Sequence, residues 1–281
     1  MKKILRKIRD NRQILTLLVW MLKAFRSIGI FKSEKFYRHV PFRGLIKVKI
    51  ETDNYFKIIS RGGHIENTLY WEGTYLNEAV SMRTWVKYAR ESRVVLDIGA
   101  NSGVYALAAA AMGAKQVHAF EPLPRIYKIL NENLALNSFK SLNAWKFAIS
   151  DNPGEASLYD PGGDAPTSAS LSSKFSQSHL FEGFSAIKVP MISIDVFCSD
   201  RGIDKVDLIK IDVEGHEEYA LRGMIKTVMQ CRPVIIMEVL EEYDEQLRSV
   251  VNILFEGIYR WDRIIEQNNQ KSINVLLTPL I

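Results

Sequence analysis

Cysteine is nearly absent: the 281 residues hold two, Cys198 and Cys231, far apart and without the paired spacing of a zinc site. They read as structural thiols in a reducing compartment, the cytoplasm. Long apolar runs are missing too. Ile14 to Leu22 is a mainly apolar run of nine residues closed by Lys23, too short to span a bilayer. No small-residue cleavage pattern follows it, and Lys23 and Arg26 stand where one would be needed, which argues against a secretory leader. A net positive charge is also missing over most of the chain. The net charge is +5, yet residues 1–28 carry Lys2, Lys3, Arg6, Lys7, Arg9, Arg12, Lys23 and Arg26 against Asp10 alone, so the arm holds +7 and the remainder −2. A nucleic-acid partner has no support outside that arm. Two readings of residues 1–28 stay open: a basic amphipathic helix on an anionic membrane surface, or an N-terminal helix packing its apolar face on the core.

A further absence concerns the glycine pattern. Val94-Val95-Leu96-Asp97-Ile98-Gly99-Ala100-Asn101-Ser102-Gly103 joins a buried-strand pattern to a glycine turn and an alanine-rich helix, the way an open α/β sheet presents backbone N–H groups at a helix N-terminus. The spacing is Asp-x-Gly-x-x-x-Gly rather than Gly-x-Gly-x-x-Gly, so no glycine is placed for a pyrophosphate, and Asp97 would repel one. The ammonium of a bound amino acid would instead be attracted, which favours S-adenosylmethionine, with Gly99, Ala100, Asn101 and Gly103 forming its turn. Gly99 is expected to let the backbone approach the ligand. Gln116 to Phe120 reads as the next strand and ends in Glu121-Pro122, 22 residues after Gly99. An acid there suits the hydroxyls of a ribose, and Pro124 can open the following helix because its missing N–H would be unpaired anyway.

These motifs together with SIDVF and DLIKIDVEGHE, over about Glu78 to Val239, resemble the FkbM family of S-adenosylmethionine-dependent methyltransferases, whose members mostly methylate hydroxyls of sugars and natural products. The resemblance implies an α/β, Rossmann-like class I methyltransferase fold: a three-layer sandwich around a seven-stranded, mostly parallel sheet. It also implies that Glu78, nineteen residues before Asp97, faces the methionine end of the cofactor, although a surface helix acid fits the same residue. The run Ala148-Ile149-Ser150-Asp151 falls where such enzymes bring the adenine ring, with Ala148 letting the base approach and Asp151 accepting from its amino group.

Composition, at 47% hydrophobic residues with near-neutral mean hydropathy, fits one α/β domain with additions. We read residues 1–28 as the arm, 29–90 as an N-terminal cap and 91–281 as the Rossmann-like domain. In the cap, Leu45 to Glu51 and Tyr55 to Ser60 alternate around Asp53-Asn54, predicting a hairpin, and Tyr75 to Tyr88 has helical spacing. Beyond the glycine turn a helix is expected over Pro124 to Asn137 and strands over Leu142 to Ile149, Val206 to Ile211, Val234 to Val239 and Ile273 to Leu277, the last antiparallel. Tyr243 to Phe255 reads as a helix. Residues 160–186 are polar and rich in Gly, Pro and Ser, long enough for a lid whose Phe175, Phe181 and Phe184 close over an acceptor or tuck onto the core.

Chemistry concentrates after the strand ending at Ile211. Asp212 and Glu214 are two residues apart and share a face of an extended segment, Gly215 permits a sharp turn, and His216 opens a helix. Methyl transfer to a hydroxyl needs an aligned acceptor and a group to take its proton. His216 is the natural titrating candidate, with Asp212 or Glu214 as carboxylate alternatives; a helix-capping histidine is equally consistent. Glu238 is either an acceptor-binding acid or a strand-end charge. A metal is not expected, since the Asp-x-Glu pair lacks a third ligand. The partner implied is a hydroxyl-bearing small molecule or glycan. A silent cofactor-binding protein on the same scaffold is the alternative, and a nucleotide-dependent oxidoreductase lacks its glycine signature.

Overall fold

The computed structural model describes residues 12–27, 40–51, 53–72, 79–160, 162, 185–265 and 272–280. Glu78, the first eleven residues of the arm and Phe175, Phe181 and Phe184 of the polar stretch lie outside them.

The chain opens with helix α1 (Arg12–Ser27), hairpin strands β1 (Arg43–Lys49) and β2 (Tyr55–Arg61), and helices α2 (His64–Glu72) and α3 (Ala79–Glu91). The hairpin turns where Asp53-Asn54 predicted it. Both strands alternate, with Ile46, Val48, Phe56 and Ile58 turned inward, as a half-covered antiparallel pair should. Through Val19 and Leu22, α1 packs on Val40 and Trp71, so one face of the arm serves the core.

Next come β3 (Val94–Ile98), α4 (Val104–Ala111), β4 (Gln116–Phe120), α5 (Pro124–Ala135) and β5 (Leu142–Trp145). The predicted strand from Leu142 to Ile149 is two strands. After β5, which lies in the main sheet, the chain leaves it at Lys146-Phe147, and β6 (Ala148–Ile149) joins a small sheet with β7 (Gly154–Asp160) and β8 (Ser185–Ile192) in the order β6-β8-β7. Helix α6 (Ile194–Arg201), strand β9 (Leu208–Ile211), the short helices α7 (Glu217–Arg222) and α8 (Ile225–Cys231), and β10 (Val234–Leu240) follow. A single turn of tighter helix, Glu241–Tyr243, precedes α9 (Asp244–Leu254), and the chain closes with β11 (Tyr259–Ile264) and β12 (Ser272–Pro279). The edge strand β11 escapes a period-2 reading because its Tyr-Arg-Trp-Asp-Arg-Ile sequence is only half-buried.

The central sheet runs β11-β12-β10-β9-β3-β4-β5, with β12 antiparallel to both neighbours and every other pairing parallel. This is the seven-stranded, mostly parallel sheet that the sequence resemblance implies. Alternate residues feed two separate cores. Val95, Leu208 and Ile236 pack with α3 and α4 on one face, whereas Leu96, Ile98, Ile209, Ile211, Ile235 and Met237 pack with α6 to α9 on the other. A parallel strand buried on both faces therefore reads as a continuous apolar run. Two residues break that run on the α4 face, Asp97 in β3 and Lys210 in β9, and they are direct cross-strand partners. The chain winds outward in opposite directions from β3 and β9, so the crevice where ligands bind such sheets opens above their carboxyl ends.

Candidate active site

The glycine turn is tied to its neighbours by backbone bonds. Gly99 and Ala100 N–H groups donate to the Phe120 carbonyl at 3.0 and 2.9 Å, and the Asp212 N–H donates to Ile98 at 2.9 Å. Gly99 (φ 81°) and Asn101 (φ 50°) are left-handed. A Cβ on Gly99 would lie 1.8 Å from the Asp212 carbonyl oxygen, so the glycine is required by the neighbouring loop of the protein itself. Helix α4 then starts at Gly103, which has no side chain to cap it. Asp97 supplies the cap from the strand below, its Oδ2 accepting from the Ala106 N–H at 2.8 Å, which satisfies one of the orphan donors of the first turn. Asp97 is 2% exposed, beneath the turn rather than on its open side, and burial pushes its pKa up to about 7 against the pull of Lys210.

Glu121 is organised in the same way. Its Oε2 accepts from the Asn101 N–H at 3.0 Å and its Oε1 from the Leu123 N–H at 2.9 Å, so the carboxylate fixes the turn as well as standing at the strand end. Burial raises it to about 7. Pro122 beside it is half-buried. The turn is also locked to the cap: Asn133 donates to the Ser102 carbonyl at 2.8 Å and accepts from the Ile59 N–H at 2.9 Å. Glu66 of α2 is buried, and its carboxyl is raised by burial, with the nearby Ser102 and Arg61 drawing it back.

Across the crevice, the segment after β9 gathers acids. Glu214 and Gly215 are left-handed in succession (φ 51° and 90°), and the Gly215 N–H donates to Glu217 at 3.0 Å. Glu214 is pushed up to about 9, first by burial and then by the charges of Asp212, Glu238 and Glu217, with Lys210 opposing. Glu217 rises to about 7. The one buried cation is Lys210 among the described residues of this cluster, 1% exposed, with its ammonium 3.7 Å from Asp212 Oδ2 and 5.2 Å from the centre of the Tyr105 ring. Neither Lys210 nor Glu217 stood out in the sequence. A lysine inside an apolar strand pattern was the available signal.

His216 turns away from the acids. Its Nε2 lies 3.0 Å from Ser150 Oγ, and that hydroxyl donates to Asp151 Oδ1 at 3.0 Å. With the one hydroxyl proton given to Asp151, Ser150 accepts from an Nε2–H, leaving Nδ1 as the basic nitrogen. The ring stacks on Tyr219 at 4.6 Å, and burial lowers its pKa to about 4 although Asp151 opposes this. The structure thus brings His216 to the Ser150-Asp151 pair. Ala148 differs from expectation: it is 3% exposed and its methyl packs in the cluster of Leu123, Ile126, Leu158 and Val189.

The donor set suits a cationic ligand. Asp97, Asp212, Glu214 and Glu217 share one buried ammonium, and Glu238 adds its charge beside Glu214, so a sulfonium and an ammonium would relieve repulsion that a pyrophosphate would increase. Among the described residues, no group of three or more His, Cys, Asp and Glu is placed to hold a metal ion.

Comparison with known proteins agrees with this chemistry. The 2-O-methyltransferase NoeI of Sinorhizobium fredii is 29% identical over 194 residues, 62% of this chain and 76% of that protein. The hexuronic acid methyltransferase AglP of Haloferax volcanii is 30% identical over 155 residues, 55% of this chain and 59% of AglP, so the match spans little more than half of that relative. The crystal structure of methyltransferase FkbM from Methylobacillus flagellatus aligns at a TM-score of 0.47 with 16% identity, covering 66% of this chain and 44% of that one. The sequence model of the methyltransferase FkbM domain matches residues 97–270, starting at the buried aspartate of the glycine turn. With more than half of its length so matched, the chain belongs to the FkbM family of S-adenosylmethionine-dependent methyltransferases.

Proposed function

We propose that this chain methylates a hydroxyl of a sugar, in a glycan or a related natural product. Residues 91–281 act as the methyltransferase domain under a cap of residues 29–90. The observation that carries this reading is the set of carboxyl groups around Lys210 at the ends of β9 and β10. NoeI and AglP, whose names specify a 2-O-methyltransferase and a hexuronic acid methyltransferase, support a sugar hydroxyl as acceptor.

S-adenosylmethionine supplies an electrophilic methyl group on a sulfonium. Glu121 and Asp97 hold the glycine turn that receives it, and Asp151 with Ser150 and His216 forms the polar end of the crevice beside β6. Glu78 is retained as a residue for the methionine end. Asp212, pinned by its N–H to Ile98, positions the acceptor. Glu214 takes the hydroxyl proton as the acceptor oxygen bonds to the methyl carbon and the carbon–sulfur bond breaks. Burial and neighbouring acids hold the Glu214 carboxyl above its ordinary range while burial lowers the His216 imidazole, so the ionised carboxylate is the stronger base of the two. A sulfonium held beside these acids would favour the ionised form of Glu214 and so its service as base. The two buried, unpaired thiols of Cys198 and Cys231 support a reducing compartment such as the cytoplasm, and peripheral contact of residues 1–28 with an anionic membrane is part of the same reading.

Incubation with methyl-labelled cofactor and separated glycan, lipid and small-molecule fractions tests the proposal. Label in a sugar-containing product is expected. Its absence from every fraction, with the cofactor still bound, would favour a silent binding protein.

A further inference from the structure

Helix α1 has two apolar faces, and the core uses one. Val19 and Leu22 are each 5% exposed and pack with Val40 and Trp71. The Trp71 indole N–H donates to the Val40 carbonyl at 3.0 Å, and the Lys23 ammonium sits 4.3 Å from the centre of the Tyr70 ring. The helix is therefore fixed to α2. Its opposite face carries Ile14, Leu17, Trp20 and Met21, at three- and four-residue spacing and 48, 60, 69 and 41% exposed. A helix serving only the core would be polar there. A stripe of large apolar side chains turned to solvent marks an interaction surface.

Charge identifies the partner. The arm carries +7 while the rest of the chain sums to −2, so an anionic surface attracts this end of the molecule and repels the other. An exposed tryptophan beside leucine and methionine, on a helix preceded by Lys2, Lys3, Arg6, Lys7 and Arg9, is the composition of a helix lying in the lipid headgroup layer. We propose that the outer face of α1 docks on an anionic lipid bilayer through Leu17, Trp20 and Met21, with Ile14 extending the stripe. This rests on the membrane contact of the proposed function and gives it a face and a mode. It also places the bilayer close to the chemistry. Along α2, Trp71 at the α1 dock and Glu66 beside the glycine turn are five residues apart, about 8 Å at 1.5 Å per residue. The width of α1 itself, about 10–12 Å with side chains, separates that dock from the lipid face.

Co-sedimentation of the full chain with vesicles of phosphatidylglycerol and phosphatidylcholine, against phosphatidylcholine alone, tests this. The parent should bind the anionic vesicles about ten-fold or more tightly than the neutral ones, and added salt should release it. The double variant Leu17→Glu, Trp20→Glu should lose vesicle binding with cofactor affinity unchanged. Equal binding to both vesicle types, equal binding by the variant, or no binding by the parent overturns the proposal. So does a parent dimer that the variant converts to monomer without vesicle binding, since the stripe would then belong to a second copy. The lipid and salt comparisons on the parent decide the matter even if the variant folds poorly. Methyl transfer to soluble sugar, measured in the same samples, reports on the catalytic reading separately.

Discussion

Gly99 and Asp212 meet across the crevice so closely that a Cβ on the glycine would fall 1.8 Å from the aspartate carbonyl oxygen. The glycine turn and the loop that carries the acids are thereby held as one unit, with Gly99 at a left-handed φ of 81°. Gly99→Ala should lower the melting temperature and weaken S-adenosylmethionine binding by about ten-fold or more together, because the clash is with backbone and the conformation disfavours a side chain. Thermal unfolding and calorimetry check this. A variant as stable and as tightly binding as the parent would refute the packing role.

Glu121→Ala removes an acceptor shared by the Asn101 and Leu123 N–H groups along with any bond to the cofactor ribose. Affinity for S-adenosylmethionine should fall by about 1.5–3 kcal/mol, the range for a hydrogen bond to a charged group. Calorimetric titration of parent and variant measures the difference.

Lys210→Met leaves Asp97 and Asp212 without the ammonium between them. Stability should drop by about 3 kcal/mol, toward the lower end for breaking a buried ion pair by removing one partner, although Asp212 is 30% exposed and part of the loss is recovered by solvent. Denaturant unfolding provides the test.

Acidity and stability are linked through the same cluster. In the folded, cofactor-free protein Glu214 is raised to about 9 and Asp97, Glu121 and Glu217 to about 7, so above pH 6.5 the native state binds more protons than the unfolded chain. Stability must then fall as pH rises. His118 and His216, both lowered to about 4, act in the opposite sense only below pH 6.5. The melting temperature should decline from pH 6.5 to 8.5, and Glu214→Gln should flatten the decline.

Much of the fold was legible because strands buried on both faces leave near-continuous apolar runs, each broken by one acid, as at Val94–Ile98 and Val234–Leu240, and because Asp53-Asn54 and Pro124 punctuate the chain. What escaped was non-local. Nothing before Lys146 announces that the chain leaves the main sheet there, and β11 is an edge strand whose exposed Arg260 and Arg263 mask its period. At the site, the residue types pointed to the right cofactor, but the positions of their side chains depend on contacts distant in sequence. Asp97, expected at the ligand from its strand-end position, also caps α4 from below through a contact that the sequence does not announce. His216, the natural titrating candidate by residue type, bonds to Ser150, 66 residues earlier, whereas the repulsion that distinguishes Glu214 comes from Asp212 after β9, Glu238 in β10 and Glu217 in α7.

On the proposed function, carboxyl groups with Glu214 as base move a methyl group onto a sugar hydroxyl. Turnover with a carbon-13 methyl-labelled cofactor, followed by NMR of the product, tests it most directly. The label should appear as an O-methyl carbon, with kcat lowered about 100-fold or more in Glu214→Gln and largely retained in His216→Ala. Label on nitrogen or carbon, or a Glu214→Gln variant as fast as the parent while His216→Ala is inactive, would contradict it.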